Sequence, residues 1–180
     1  NPTQFNNRKD YKNYPKNEKK DLLILKKLKV NFVYLPKVRD IYKSKKKLEI
    51  KLSEKEKILC AKFRKGHFEG VITVMNKLTN MINPNKIFMG EKDFQQLYLT
   101  KKYIKKRYKK KIIACKTIRN INFLALSSRL NLLKKKKLKV AEKISQDLIF
   151  LKKSLKNKKD ISQILENKKK ILTQLYDVNF

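Results

Sequence analysis

Apolar positions recur at helical spacing in some stretches of this chain and at strand spacing in others, and the alternation between the two outlines its organisation. Between residues 16 and 29, Leu22, Leu25 and Leu28 share one face and Asn17 is available as a cap, which predicts a helix. Val30-Asn31-Phe32-Val33-Tyr34-Leu35 is rich in β-forming residues and stops at Pro36, predicting a strand directly after that helix. Leu48 to Leu52 alternates apolar and charged residues as a half-buried strand does. Val71, Val74, Met75, Leu78 and Ile82 then line one face of a helix predicted from Gly70 to Met81 and ended by Asn83-Pro84-Asn85.

Lys86-Ile87-Phe88-Met89 predicts a short buried strand, Gly90 a tight turn, and Asp93 the N-cap of a helix running to about Tyr108. Ile112-Ile113-Ala114-Cys115 predicts the next strand. Strand, turn, helix, strand is the order of a βα unit, so the fold class expected is α/β with a parallel sheet and flanking helices. After Arg129 the texture changes. Residues 134–153 and 161–175 read as two amphipathic Lys-rich helices joined by Lys156-Asn157-Lys158-Lys159-Asp160, and Val178-Asn179-Phe180 as the start of a further strand.

Composition changes this picture little. At 180 residues and 41% hydrophobic content the chain can bury a core. A formal charge of +34 would by itself suggest a polyanion partner, nucleic acid or an anionic membrane. Of the 49 basic residues, however, only six are arginine (Arg8, Arg39, Arg64, Arg107, Arg119, Arg129), and the lysines are spread along nearly the whole length. Dedicated nucleic-acid readers concentrate arginine, whose guanidinium forks onto phosphate and base edges. Solvated surface lysine is therefore the favoured reading, with the run from Lys105 to Lys111 and the run from Lys134 to Lys137 as the places where a Lys-rich nucleic-acid module remains the alternative. Cys60 and Cys115 are far apart and His67 is the single histidine, so neither a zinc site nor a Ser-His-Asp triad is expected. The two cysteines fit a reducing cytoplasm as small buried hydrophobes. No apolar stretch approaches the length of a membrane span.

Two stretches carry candidate chemistry. At Gly90-Glu91-Lys92-Asp93 a glycine after a strand lets backbone approach a ligand, the following helix start offers N–H groups to an anion, and Lys92 adds a positive charge. Asp93 serves as a cap or as a ribose ligand, and Gln96 projects toward the same helix end. A plain strand-to-helix turn with a solvated lysine fits the spacing equally well. In Ser127-Ser128-Arg129, two hydroxyls and a guanidinium are suited to phosphate oxygens, although an ordinary Ser-rich loop is the favoured reading of the bare tripeptide.

Taken together, four segments decide between these readings: Asn1-Pro2-Thr3-Gln4-Phe5; Gly66-His67-Phe68-x-Gly70-Val71; Gly90-Glu91-Lys92-Asp93-Phe94-Gln95-Gln96; and Leu124-Ala125-Leu126-Ser127-Ser128-Arg129. Their order and spacing resemble those of the pantothenate synthetases (pantoate–β-alanine ligases), over essentially the whole chain. The resemblance implies a Rossmann-like parallel sheet, here expected without its first strands, at residues 1–118, and part of a small α+β C-terminal lid domain at 119–180. It implies ATP-dependent condensation of pantoate with β-alanine through pantoyl adenylate, with Mg2+ accompanying ATP, no tightly bound cofactor, and a homodimer. Gly90, Glu91, Lys92, Asp93, Ile118, Leu126, Ser127, Ser128 and Arg129 match the family's ATP segments. Gln4 and Gln96 match its pantoate glutamines, Gln4 lying also beside β-alanine. Arg64 and His67 fall in its Arg-Pro-Gly-His-Phe stretch, where His67 is a ligand contact or a structural hydrogen-bonding residue.

The family's His-x-Gly-His motif, which supplies its proton donor, is not among these residues, so no catalytic residue is expected here and residues 1–180 alone are expected to be poorly soluble and inactive. Other departures are Lys65 for proline, Met89 for phenylalanine and Leu130 for asparagine. Asn120 stands for an acidic residue, and Asn122-Phe123 for Asp-Gly, where loss of a glycine is expected to strain a turn that needs positive φ. A related nucleotidyltransferase acting on another acid or amine is the nearest alternative.

Overall fold

The computed structural model describes residues 8–14, 17–42, 50–155 and 161–176. The chain divides into two compact units, Asn1–Lys116 and Thr117–Phe180.

In the first unit, helices α1 (Arg8–Asn13), α2 (Glu18–Lys27), α3 (Val38–Ile41) and α4 (Cys60–Phe63) precede the longer α5 (His67–Ile82). The predicted cap of α2 is present, Asn17 Oδ1 accepting the Lys20 N–H at 3.1 Å. Helix α5 starts three residues earlier than its apolar face predicts, at His67, because Gly66 (φ 77) turns the chain into it through a left-handed conformation that suits glycine. It ends on Asn83, also left-handed (φ 50), a conformation that asparagine tolerates.

Strand β1 (Lys86–Gly90), helix α6 (Phe94–Tyr108) and strand β2 (Lys111–Cys115) form the predicted βαβ unit, the two strands pairing in parallel with Ile87 opposite Ile112 and Gly90 opposite Cys115. Helix α6 is buried on two sides. Leu97 and Ile104, seven residues apart, pack with Ile112 of β2 and the partly buried Met75, Ile87, Met89 and Tyr108. Leu99 packs with Leu52, Ala61, Phe68 and Ile72, flanked by Tyr103 and Ile50. Fully burying a side chain such as Ile104 stabilises by about 1.5–3 kcal/mol, so these two clusters fix where β1 delivers its C-terminal end.

Several expectations are corrected. Residues 30–35 form no strand, and Phe32 is 93% exposed. A strand exists through its hydrogen-bonded neighbour, and none pairs with this stretch among the described residues. The described part of the second expected strand, Ile50 to Leu52, is likewise outside any ladder, although Leu52 points into the core as the alternation requires. Strand β1 is not buried: Lys86, Phe88 and Gly90 are exposed and only Ile87 and Met89 turn inward, because α6 covers one face only. Cys60 and Cys115 are exposed, one at the start of α4 and the other at the end of β2. The expected linker at 156–160 and the strand at 178–180 lie outside the described residues.

In the second unit, an antiparallel bridge between Arg119 and Ala125 closes a hairpin, a 3-10 helix spans Ser128–Leu132, and α7 (Lys135–Ser154) packs with α8 (Ile161–Tyr176). Leu172 is buried at 2% exposure, and the Tyr176 hydroxyl donates to Asp147 Oδ2 at 3.2 Å.

Candidate functional site

Gly90 is the last residue of β1, in extended conformation (φ −73, ψ 135), and not the tight turn expected of it. The turn is a single 3-10 helix, Glu91–Asp93, that leads straight into α6. Among the described residues, no heavy atom beyond Gly90 and its chain neighbours lies within 4 Å of where a Gly90 Cβ would stand, so backbone is open to approach there. Asp93 occupies the N-cap position of α6, but its side chain makes no capping bond, a second correction. The N–H groups of the first turn of α6 therefore keep their donors uncommitted to that carboxylate. Glu91, Lys92 and Asp93 are exposed and Gln96 is half-buried in the first turn.

The neighbouring Gln95 was not singled out by its sequence, and its amide is fully used. Its Oε1 accepts the Ala61 N–H at 3.2 Å while its Nε2 donates to the carbonyls of Ile58 (2.7 Å) and Glu56 (3.2 Å). Gln95 thus ties the segment before α4 to the start of α6. Two adjacent glutamines look alike in sequence, and only the fold separates the structural one from Gln96. His67 is 7% exposed and stacks edge-on against Phe68, with ring centroids 4.7 Å apart, so its imidazole belongs to the α5 packing. Arg64 is half-buried, and its carbonyl accepts the His67 N–H at 3.1 Å.

The second candidate stretch is organised by the hairpin. The Leu126 N–H donates to the Ile118 carbonyl at 3.0 Å, which brings together two residues eight positions apart. Ile118 and Leu126 are both more than half exposed. Ser127 Oγ accepts the Arg129 N–H at 3.3 Å and caps the 3-10 turn, leaving Ser128 and Arg129 on the surface. At the tip, Phe123 is left-handed with φ 63, as expected of a position that has lost a glycine. That conformation costs a residue with a Cβ roughly 1 kcal/mol. Comparing Phe123→Gly with Phe123→Ala isolates the cost, since both remove the ring. Glycine is expected to be the more stable by about 1 kcal/mol in urea unfolding, whereas at an ordinary φ alanine is favoured by about 0.4–1 kcal/mol.

Gln4 lies outside the described residues. Among the described residues, no group of His, Cys, Asp and Glu is arranged to hold a metal ion, and no helix is long and apolar enough to cross a membrane. The basic face of α6 lines an open cavity of about 830 Å³ with Lys102, Lys106 and Arg107, but Lys102 is committed to Glu56 at 2.8 Å.

Comparison with known proteins bears on the chain as a whole. The family model described as pantoate-beta-alanine ligase matches residues 1–178. The pantothenate synthetase of Buchnera aphidicola subsp. Acyrthosiphon pisum is 44% identical over 144 residues, covering 78% of this chain and 50% of its own length. That of Endomicrobium trichonymphae is 39% identical over 171 residues, covering 88% and 60%. Among solved structures, the Francisella tularensis pantoate-beta-alanine ligase superposes with a TM-score of 0.78 at 36% identity, covering 94% of this chain and 65% of that one. The Thermus thermophilus pantothenate synthetase superposes with a TM-score of 0.89 at 25% identity, covering 98% and 64%. The chain spans about half to two thirds of the length of these relatives. With its parallel, helix-flanked sheet and a family match over nearly every residue, the chain belongs to the pantoate-beta-alanine ligase family.

Proposed function

We propose that the protein to which this chain belongs is an ATP-dependent ligase that joins pantoate to β-alanine. The pantoate carboxylate attacks the α-phosphate of ATP, forming pantoyl adenylate and releasing pyrophosphate. The β-alanine amine then attacks the activated carbonyl, the C–O bond to AMP breaks, and pantothenate forms. A free carboxylate is a poor electrophile, and adenylation gives it a good leaving group. No enzyme nucleophile is needed, so the rate depends on positioning and on donors aimed at charge that builds on the α-phosphate.

The observation that carries this reading is the hairpin that joins Ile118 to Leu126 by a backbone hydrogen bond and continues into Ser127-Ser128-Arg129. An exposed apolar surface for a base is held at fixed spacing from hydroxyls and a guanidinium suited to phosphate. We assign Ile118, Leu126, Ser127, Ser128 and Arg129 to ATP, together with Gly90, Glu91, Lys92 and Asp93 at the open end of β1. Gln96 and Gln4 are assigned to pantoate, and Gln4 also to the β-alanine side. The Francisella tularensis ligase, solved in complex with beta-gamma ATP and beta-alanine, supports the choice of nucleotide and amine. In this reading Mg2+ enters with ATP, the active species is a cytoplasmic homodimer, and the proton-donor role falls to no residue of this chain.

The test is to supply the complete gene product with ATP, pantoate and β-alanine. Pantothenate is expected in equal amounts with AMP and pyrophosphate, and no product is expected when either carbon substrate is omitted. Formation of ADP in place of AMP, or turnover with another acid but not with pantoate, would refute this reading.

A further inference from the structure

The hairpin that carries Ile118 and Leu126 is gripped from outside by α7, through residues to which the proposed reaction assigns no part. Asn120 is the hub. Its Oδ1 accepts the N–H groups of Asn122 (3.0 Å) and Leu124 (2.9 Å), a task that an aspartate performs equally well. Its Nδ2 donates to Glu142 Oε1 at 2.8 Å, a task that only an amide performs. One turn further along α7, the Ser145 hydroxyl donates to the Phe123 carbonyl at 2.6 Å, and the same carbonyl accepts the Arg119 guanidinium at 2.8 Å. Glu142 and Ser145, three residues apart on one face of α7, therefore hold the turn end of the hairpin at two points, Asn120 where the turn begins and Phe123 within it. Ser145 is buried, and Asn120 and Glu142 are half-buried, so the bonds are partly shielded from competing water.

We infer that Asn120 and Glu142 are a matched pair of positioning residues, whose bond to α7 sets the placement of the ATP-binding hairpin. The inference rests on the assignment of Ile118 and Leu126 to ATP made above. An acidic residue at 120 would satisfy the turn but would set a carboxylate against Glu142, whereas asparagine satisfies both. The chain thus pairs an amide at 120 with an acid at 142, and it holds Phe123 in its left-handed conformation by bonds to its carbonyl where a glycine would need none.

The pair is tested in the complete gene product with four proteins: wild type, Asn120→Asp, Glu142→Gln, and the exchange of both. Asn120→Asp is expected to raise the KM for ATP about tenfold, the loss of one charge-assisted hydrogen bond, while kcat and the KM for pantoate change less than threefold. In the double variant the amide placed at position 142 donates to the carboxylate placed at position 120, and the KM for ATP is expected to return to within threefold of wild type. A purely structural role would lower the thermal midpoint without this selective effect on ATP and its reversal. An unchanged KM for ATP in Asn120→Asp, or no recovery in the exchange, would overturn the inference while leaving the ligase reading intact. Absence of ATP binding by the wild type would overturn both.

Discussion

Replacing Lys92 with alanine in the complete protein is expected to slow the adenylation step by roughly 10²–10³-fold, equivalent to about 3–4 kcal/mol of transition-state stabilisation. The expectation follows from where the side chain stands. It projects from the 3-10 turn that connects the end of β1 to the start of α6, beside an open Gly90 backbone, and it is exposed. Among the described residues it has no ion pair or hydrogen-bonded partner, so none of their contacts depends on its charge. The thermal midpoint of Lys92→Ala is accordingly expected to match wild type, which separates a lost catalytic charge from a damaged fold. A loss of less than threefold in single-turnover adenylation would remove Lys92 from the site.

Glu56 is expected to give the largest effect on stability. The residue is 7% exposed, and burial pushes its pKa upward. The opposing contacts win: Lys102 Nζ lies at 2.8 Å, the Ser53 N–H and Ser53 hydroxyl donate at 2.8 Å each, and the Tyr103 hydroxyl donates at 3.0 Å. Together they hold the pKa at about 2, against an ordinary 4.5. A folded-state pKa below the unfolded one means that the contribution is complete above pH 4.5 and is lost as pH falls toward 2. The shift corresponds to about 3 kcal/mol at neutral pH. Glu56→Gln is expected to lose about that much in urea unfolding at pH 7 and to flatten the acid limb of the stability profile between pH 4.5 and pH 2. A loss under about 1 kcal/mol, with the acid limb unchanged, would show that the pair with Lys102 only offsets its own desolvation.

The βαβ unit was legible because α6 and its strands carry their signals locally. Two short apolar runs, Ile87-Phe88-Met89 and Ile112-Ile113-Ala114-Cys115, and the helical stretch between them place β1, α6 and β2 to within a residue or two. The strain at Phe123 was legible for a different reason: a glycine expected by resemblance was absent, and the chain keeps the left-handed turn regardless. What depends on distant partners was not legible. The stretch from Val30 to Leu35 has every local feature of a strand but no ladder among the described residues. Glu56, which reads as one more surface acid in a charged run, is buried by Tyr103 and Lys102 from nearly fifty positions away. The same holds for Gln95, and for the link from Asn120 to Glu142, since their partners lie 22 to 39 residues off in sequence. Local chemistry proposes the residues of a site; long-range hydrogen bonds show which of two like neighbours is already committed to the fold.

The central claim is that the pantoate carboxylate attacks the α-phosphate of ATP, and isotope transfer tests it most directly. Pantoate labelled with 18O in its carboxylate is supplied to the complete gene product with ATP and β-alanine, and the phosphate-containing products are examined by mass spectrometry. Attack at the α-phosphate predicts one 18O in each AMP and none in pyrophosphate. Label in inorganic phosphate with ADP as the nucleotide product, or unlabelled AMP alongside labelled pantothenate only, would contradict it.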